Sequence, residues 1–141
     1  MFIQIDQYAD IPIYQQLRNQ IVAGIAEGQL APGDGLPSVR ALATDVGINL
    51  HTVNKAYALL RDEGYVIMRG RAGAVVAPPP GGDAAKKRLA DGLFLLVAEF
   101  KAAGGGRSVL EDMVRKEIDQ AYGAVEGAAA AGRPAAKGVS R

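Results

Sequence analysis

The sequence predicts a mainly α fold with a small β wing, and three observations predict it. Two short amphipathic segments are joined by a tight turn at Gly47-Ile48-Asn49. Two β-prone runs, Tyr65-Val66-Ile67-Met68 and Ala74-Val75-Val76, then flank the stretch Arg69-Gly70-Arg71-Ala72-Gly73, rich in glycine and arginine. Beyond Pro78-Pro79-Pro80-Gly81-Gly82 only helical patterns remain. Together these describe an N-terminal winged helix-turn-helix followed by a short two-helix C-terminal region.

The elements follow in order. Phe2-Ile3-Gln4-Ile5 alternates as a short strand would. Pro12 opens the first helix at a position where its missing N–H costs little, and Ile13, Leu17, Ile21 and Ile25 recur every four residues as one apolar stripe. Gly28 stands where the helix should end, so it spans Pro12 to Glu27. Leu30 to Pro37 is dense in Pro and Gly and reads as a connection. Ser38 is a natural N-cap for a second helix whose apolar face is Val39, Leu42, Ala43 and Val46, closed by Gly47. Asn49 caps a third, with Val53, Ala56, Tyr57 and Leu60 facing inward until Glu63-Gly64. These spacings divide the chain into a winged helix-turn-helix at 1–77, a Pro/Gly linker at 78–85, a two-helix region at 86–126 and a flexible tail at 127–141. In the fifth helix Ser108-Val109-Leu110-Glu111 matches the capping box, in which Ser and Glu each satisfy the other's free backbone N–H.

Composition narrows the function classes. Apolar residues form 49% and charged residues 22% of the 141, values of a soluble globular chain, and the formal charge of +1 gives no global basic signal. A DNA binder needs charge gathered on one face rather than a basic total, so local clustering decides. The absence of Cys removes disulfides, thiolate metal sites and Cys nucleophiles. Met1 to Asp6 carries no charged leader, and no run approaches the roughly 18 apolar residues of a membrane span, so a cytoplasmic protein is expected. His51, the one histidine, has no companions at metal-ligand or triad spacing, so neither metal, cofactor nor catalysis is expected.

Double-stranded DNA is the partner this arrangement suggests. Helix three, the second of the pair, is the reading helix, and its outer face presents Leu50, His51, Asn54, Lys55, Ala58 and Arg61. His51 and Asn54 suit base edges, Lys55 suits guanine or phosphate, Ser38 and Thr52 stand near helix N-termini where phosphates dock, and Asn49, the cap of helix three, is counted with them among the DNA-facing residues. Arg40 lies in the first turn of helix two, where a cation is disfavoured by the helix dipole and a docked phosphate would relieve it; a solvated Arg or a pair with Asp45 is the plainer alternative. At the wing tip Arg69 and Arg71 flank Gly70, which lets backbone and guanidinium approach a groove. Tyr57 and Tyr65 fit core packing rather than base stacking.

These residues resemble the GntR family of bacterial transcription regulators. The likeness runs through Pro12-Ile13-Tyr14-Gln15-Gln16-Leu17, Gly33-Asp34, Leu36-Pro37-Ser38-Val39-Arg40-Ala41-Leu42-Ala43, Gly47-Ile48-Asn49, Thr52-Val53-Asn54-Lys55-Ala56-Tyr57, Leu60, Glu63-Gly64 and Gly73. It implies a dimer that binds a palindromic operator, more often as a repressor, with DNA contacts at Ser38, Arg40, His51, Thr52, Lys55 and Gly73, and targets that include a transporter operon and its own gene. Leu50-His51 and Arg71-Ala72-Gly73-Ala74-Val75 depart from the commonest family pattern. The short segment after Pro80 resembles the YtrA-type branch, which carries two C-terminal helices.

Those two helices carry wide apolar stripes: Leu89, Leu93, Leu96, Val97 and Phe100, widened by Phe94 and Leu95, then Leu110, Val114, Ile118, Ala121, Tyr122 and Val125. Two helices cannot cover both stripes, and a second copy supplies the missing pair, so Leu89 to Val125 are expected to form a C-terminal dimerisation region in a homodimer. Two rival readings are a winged-helix module that binds protein, and a regulator whose small-molecule effector, of unknown identity, sits at the C-terminal dimer interface.

Overall fold

The computed structural model describes residues 2–123, and the chain divides into two compact units, Met1–Pro80 and Gly81–Arg141. The first holds α1 (Ile13–Ala26), α2 (Val39–Val46), α3 (Leu50–Asp62) and an antiparallel hairpin of β1 (Val66–Met68) and β2 (Ala74–Val76). The hairpin pairs Val66 with Val76, Ile67 with Val75 and Met68 with Ala74.

The apolar spacing of each helix becomes one shared core. Leu17 and Ile21 from α1, Val53, Ala56 and Leu60 from α3, and Val66 and Val76 from the hairpin are buried together, with Leu42 and Ala43 of α2. Burying each of the larger side chains contributes about 1.5–3 kcal/mol. The caps are the expected ones. Ser38 Oγ accepts from the Ala41 N–H at 3.0 Å, Asn49 Oδ1 accepts from the His51 N–H at 2.7 Å, and Gly47 takes the left-handed conformation (φ 76°) that turns α2 into α3.

Several local expectations are corrected. Pro12 is the N-cap of α1, with extended ψ of 148°, rather than its first helical residue. Phe2–Ile5 is not a strand, because no strand of the described residues lies beside it. Its backbone is instead held by two side-chain amides one helical turn apart: Gln20 pairs with both the N–H and C=O of Gln4, and Gln16 with both of Asp6. The Pro/Gly connection also does more than turn. Gly33 and Leu36 donate to the carbonyls of Val76 and Ala74, and Val76 donates to Asp34, so this loop pairs with β2 at the edge away from β1. That second pairing buries all of β2.

In the second unit α4 runs Gly82–Ala102 and α5 runs Arg107–Tyr122. Residues 82–85, expected in the linker, are therefore helical. The Gly104-Gly105-Gly106 break ends α4 as anticipated, and the Phe100 ring lies against Gly105 so closely that a Cβ there would overlap it. Ser108 is not the cap: Gly106 is, and Glu111 accepts from Arg107 Nε at 3.0 Å instead of reaching back to a backbone N–H. No residue of α4 or α5 is buried, and Leu89, Leu93, Phe94, Leu96, Val114, Ile118 and Tyr122 are all exposed, as are Val109 and Met113. Val125 and the tail at 127–141 lie outside the described residues.

Candidate nucleic-acid interface

The first unit contains six basic and seven acidic residues, so attraction for a polyanion depends on where charges are neutralised. Two cations are paired. Arg18 Nε donates to Glu63 Oε1 at 2.8 Å in a largely buried bridge, its guanidinium also 5.6 Å from the Tyr65 ring centroid, and Arg61 pairs with Asp62 at 3.1 Å. The other four, Arg40, Lys55, Arg69 and Arg71, make no ion pair with a described residue, and all are exposed. The alternative pairing of Arg40 with Asp45 does not occur.

None of the ten residues expected to face DNA is buried. Asn49, His51, Thr52 and Lys55 meet around one open cleft of about 390 Å³, whose fifth wall is Tyr14 of α1. Arg40 lines a neighbouring cleft of about 300 Å³ with Thr44, Gly47, Ile48 and Leu50. Leu50, expected on the outer face, packs partly against the core. Asn54 stands exposed on α3.

Capping leaves the chemistry these sites need. Ser38 Oγ and Asn49 Oδ1 accept from the backbone, which frees the Ser38 hydroxyl hydrogen and the Asn49 amide hydrogens to donate to phosphate. Neither α2 nor α3 has an acidic residue in its first turn, so both positive helix ends are uncompensated. Thr44 Oγ1 donates to the Arg40 carbonyl at 3.0 Å.

Helix α3 is also tied to the residue before the cap of α2 by a bond that sequence reading missed. Tyr57, core as expected, donates from its hydroxyl to the Pro37 carbonyl at 2.7 Å, and burial pushes its pKa up to about 12. A buried Tyr in the helix pair was the available signal, since its hydroxyl must find an acceptor. At the wing tip Gly70–Ala72 forms a single 3-10 turn, closed by the Arg69 N–H donating to the Gly73 carbonyl at 2.8 Å. Gly73 has φ 73° and ψ −144°, a conformation essentially reserved for glycine, so its place is set by the backbone.

Residues 13–76, which form this winged helix-turn-helix, match the family described as "Bacterial regulatory proteins, gntR family". The HTH-type transcriptional repressor YtrA of Bacillus subtilis is 40% identical over 69% of this chain and 71% of its own length. The chain belongs to the GntR family. Its fold is that of a DNA-binding transcriptional regulator. The HTH-type transcriptional regulator Rv1152 of Mycobacterium tuberculosis is 38% identical over 54% of this chain, which spans 63% of that relative's length. Among solved structures, YtrA from Sulfolobus acidocaldarius, a GntR-family transcription factor, has 40% identity and a TM-score of 0.58, covering 68% of this chain and 97% of its own. The GntR match ends at Val76, yet the similarity to both YtrA proteins runs longer, which assigns this chain to the YtrA-type subfamily. Among the described residues no helix is long and apolar enough to cross a membrane, and no cluster of His, Asp and Glu has the makings of a metal site.

Proposed function

We propose that this GntR-family regulator is a cytoplasmic repressor that binds a palindromic operator as a homodimer. The observation that carries the reading is the sorting of cations in the first unit. Arg18 and Arg61, outside the expected contact set, are paired with carboxylates, while Arg40, Lys55, Arg69 and Arg71 within it make no ion pair with a described residue. In this reading α3 enters the major groove with His51 and Asn54 toward base edges. Ser38, Arg40, Asn49, Thr52 and Lys55 hold phosphates, and Arg69, Arg71 and Gly73 bring the wing to the minor groove. The repressor assignment rests on the similarity to the Bacillus subtilis repressor YtrA.

Dimerisation follows from the second unit's surface. With Leu89 and Leu96 each 65% exposed and Phe94 76% exposed, α4 and α5 leave apolar area that the described residues of their unit do not cover. A two-fold partner presenting the same stripes closes a four-helix arrangement around Leu89, Leu93, Leu96, Val97, Phe100, Leu110, Val114, Ile118 and Tyr122, and so fixes the half-site spacing.

The test is selection of duplexes from a random-sequence pool by the full-length protein, followed by anisotropy titrations against salt. The expected product is an inverted repeat, with log affinity falling against log salt by about 1.8 for each winged helix if Arg40 and Lys55 meet phosphates, and by more if the wing arginines also displace counterions. No enriched sequence, or affinity indifferent to salt, overturns the reading.

A further inference from the structure

We propose that Tyr14, in the first turn of α1, is a positioning residue of the DNA-contacting surface: its ring holds the Lys55 ammonium in place for a phosphate. The Lys55 Nζ lies 4.1 Å from the centroid of the Tyr14 ring, well inside the distance at which a cation is attracted by an aromatic face. Nothing competes for that ammonium. It makes no ion pair with a described residue, and its neighbours one turn away along α3, His51, Thr52, Ala58 and Leu59, carry no carboxylate.

The ring is a fixed platform. Tyr14 is half-buried and packs against the core formed by α1 and α3, so its plane is set by the same contacts that set the helix pair. Lysine is otherwise a flexible point charge that loses much rotamer freedom when it is immobilised on a ligand. Resting on the ring keeps the ammonium at the rim of the cleft formed by Tyr14, Asn49, His51, Thr52 and Lys55, beside the uncompensated N-terminus of α3. A cation–π contact neutralises no charge, unlike the carboxylate partners of Arg18 and Arg61, so the ammonium keeps its full attraction for phosphate. First-helix residues thus belong to the DNA-facing surface of this protein alongside α2, α3 and the wing.

The inference rests on Lys55 being a phosphate contact, and a double-mutant cycle separates the two claims. The probe is one duplex selected from a random pool by the full-length wild-type protein, and the readout is its dissociation constant. Tyr14→Phe, which keeps the ring, should bind as wild type, while Tyr14→Leu should bind about two- to fivefold more weakly. In a Lys55→Ala background Tyr14→Leu should cost nothing further. An equal loss in both backgrounds, or a loss in Tyr14→Phe matching that in Tyr14→Leu, overturns the positioning role. Lys55→Ala binding as tightly as wild type overturns the phosphate role of Lys55 itself. Should Tyr14→Leu fail to fold, the wild-type protein gives the answer by NMR. The Lys55 methylene protons next to the ammonium should be shifted upfield by the ring, both free and bound to the duplex, and ordinary lysine shifts in either state overturn the proposal.

Discussion

The Tyr57 hydroxyl donates to the Pro37 carbonyl across 2.7 Å, and so ties the middle of α3 to the residue that precedes the cap of α2. The turn at Gly47 joins the two helices at one end; this bond joins them at the other. Both helix N-termini that face phosphate in the proposed complex are set by that pair of constraints.

Tyr57→Phe should therefore destabilise the winged helix without emptying its core, because only the hydroxyl is lost. The Pro37 side of the bond is reachable by water, which limits the cost to about 1 kcal/mol. For a domain of this size that lowers the melting temperature by about 4–8 °C. A calorimetric scan with an unchanged midpoint would show that the bond contributes nothing.

The same hydroxyl sets an alkaline limit. Its pKa rises from 10.0 to about 12 in the folded protein because burial disfavours the phenolate. Between those values the unfolded chain has released the proton that the folded one retains, so unfolding becomes more favourable as pH rises. The contribution is fully present below pH 10 and is lost by about pH 12, amounting to on the order of 2 kcal/mol. Urea midpoints measured across this window should fall for the wild type, and the part of that fall due to Tyr57 should vanish in Tyr57→Phe. Parallel profiles in the two proteins would assign the alkaline loss elsewhere.

Arg40 provides the corresponding test of the docking face. Its guanidinium is exposed and makes no ion pair with a described residue, so Arg40→Ala should leave the circular dichroism spectrum and the melting temperature alone. Binding to a selected operator should weaken, and the salt slope should shrink by about 0.9 for each winged helix, the share of one phosphate contact. An unaltered slope at unaltered affinity would remove Arg40 from the interface.

What was legible in the sequence is what is written in local spacing. Ser38, Gly47 and Asn49 sit where a side-chain acceptor or a left-handed turn is needed, and the stripe of Val53, Ala56, Tyr57 and Leu60 follows from helical geometry alone. Partners distant in sequence were not legible. The alternation at Phe2–Ile5 has the period of a strand, but whether a strand or the amides of Gln16 and Gln20 lie alongside depends on where α1 passes. Arg18 with Glu63 and Lys55 with Tyr14 likewise depend on how α1 crosses α3. At α5 Ser108-x-x-Glu111 fits a capping box, but the helix begins one residue earlier, at Arg107 with Gly106 as its cap, so Ser108 lies inside it and Glu111 pairs with Arg107. For the site, sequence placed polar residues near helix ends, and it could not reveal that Arg61 is neutralised by its neighbour while Arg40 is not.

The second unit yields the prediction on which the proposed assembly depends. Leu93 is 43% exposed on α4 and Leu96 is 65% exposed, on a helix with no buried residue. If a second copy covers this stripe, Leu93→Asp or Leu96→Asp places a carboxylate of each protomer in an apolar interface without a partner, at a cost of about 3 kcal/mol or more per copy. Sedimentation equilibrium should then record monomers where the wild type is a dimer. The winged helix has its own core from Leu17, Ile21, Val53 and Leu60, so it should remain folded and still bind a single half-site. Affinity for the full inverted repeat should drop because the second binding event is no longer intramolecular. A variant that stays dimeric would place the interface elsewhere, and a wild type that sediments as a monomer would leave the exposed stripes of α4 and α5 to another partner.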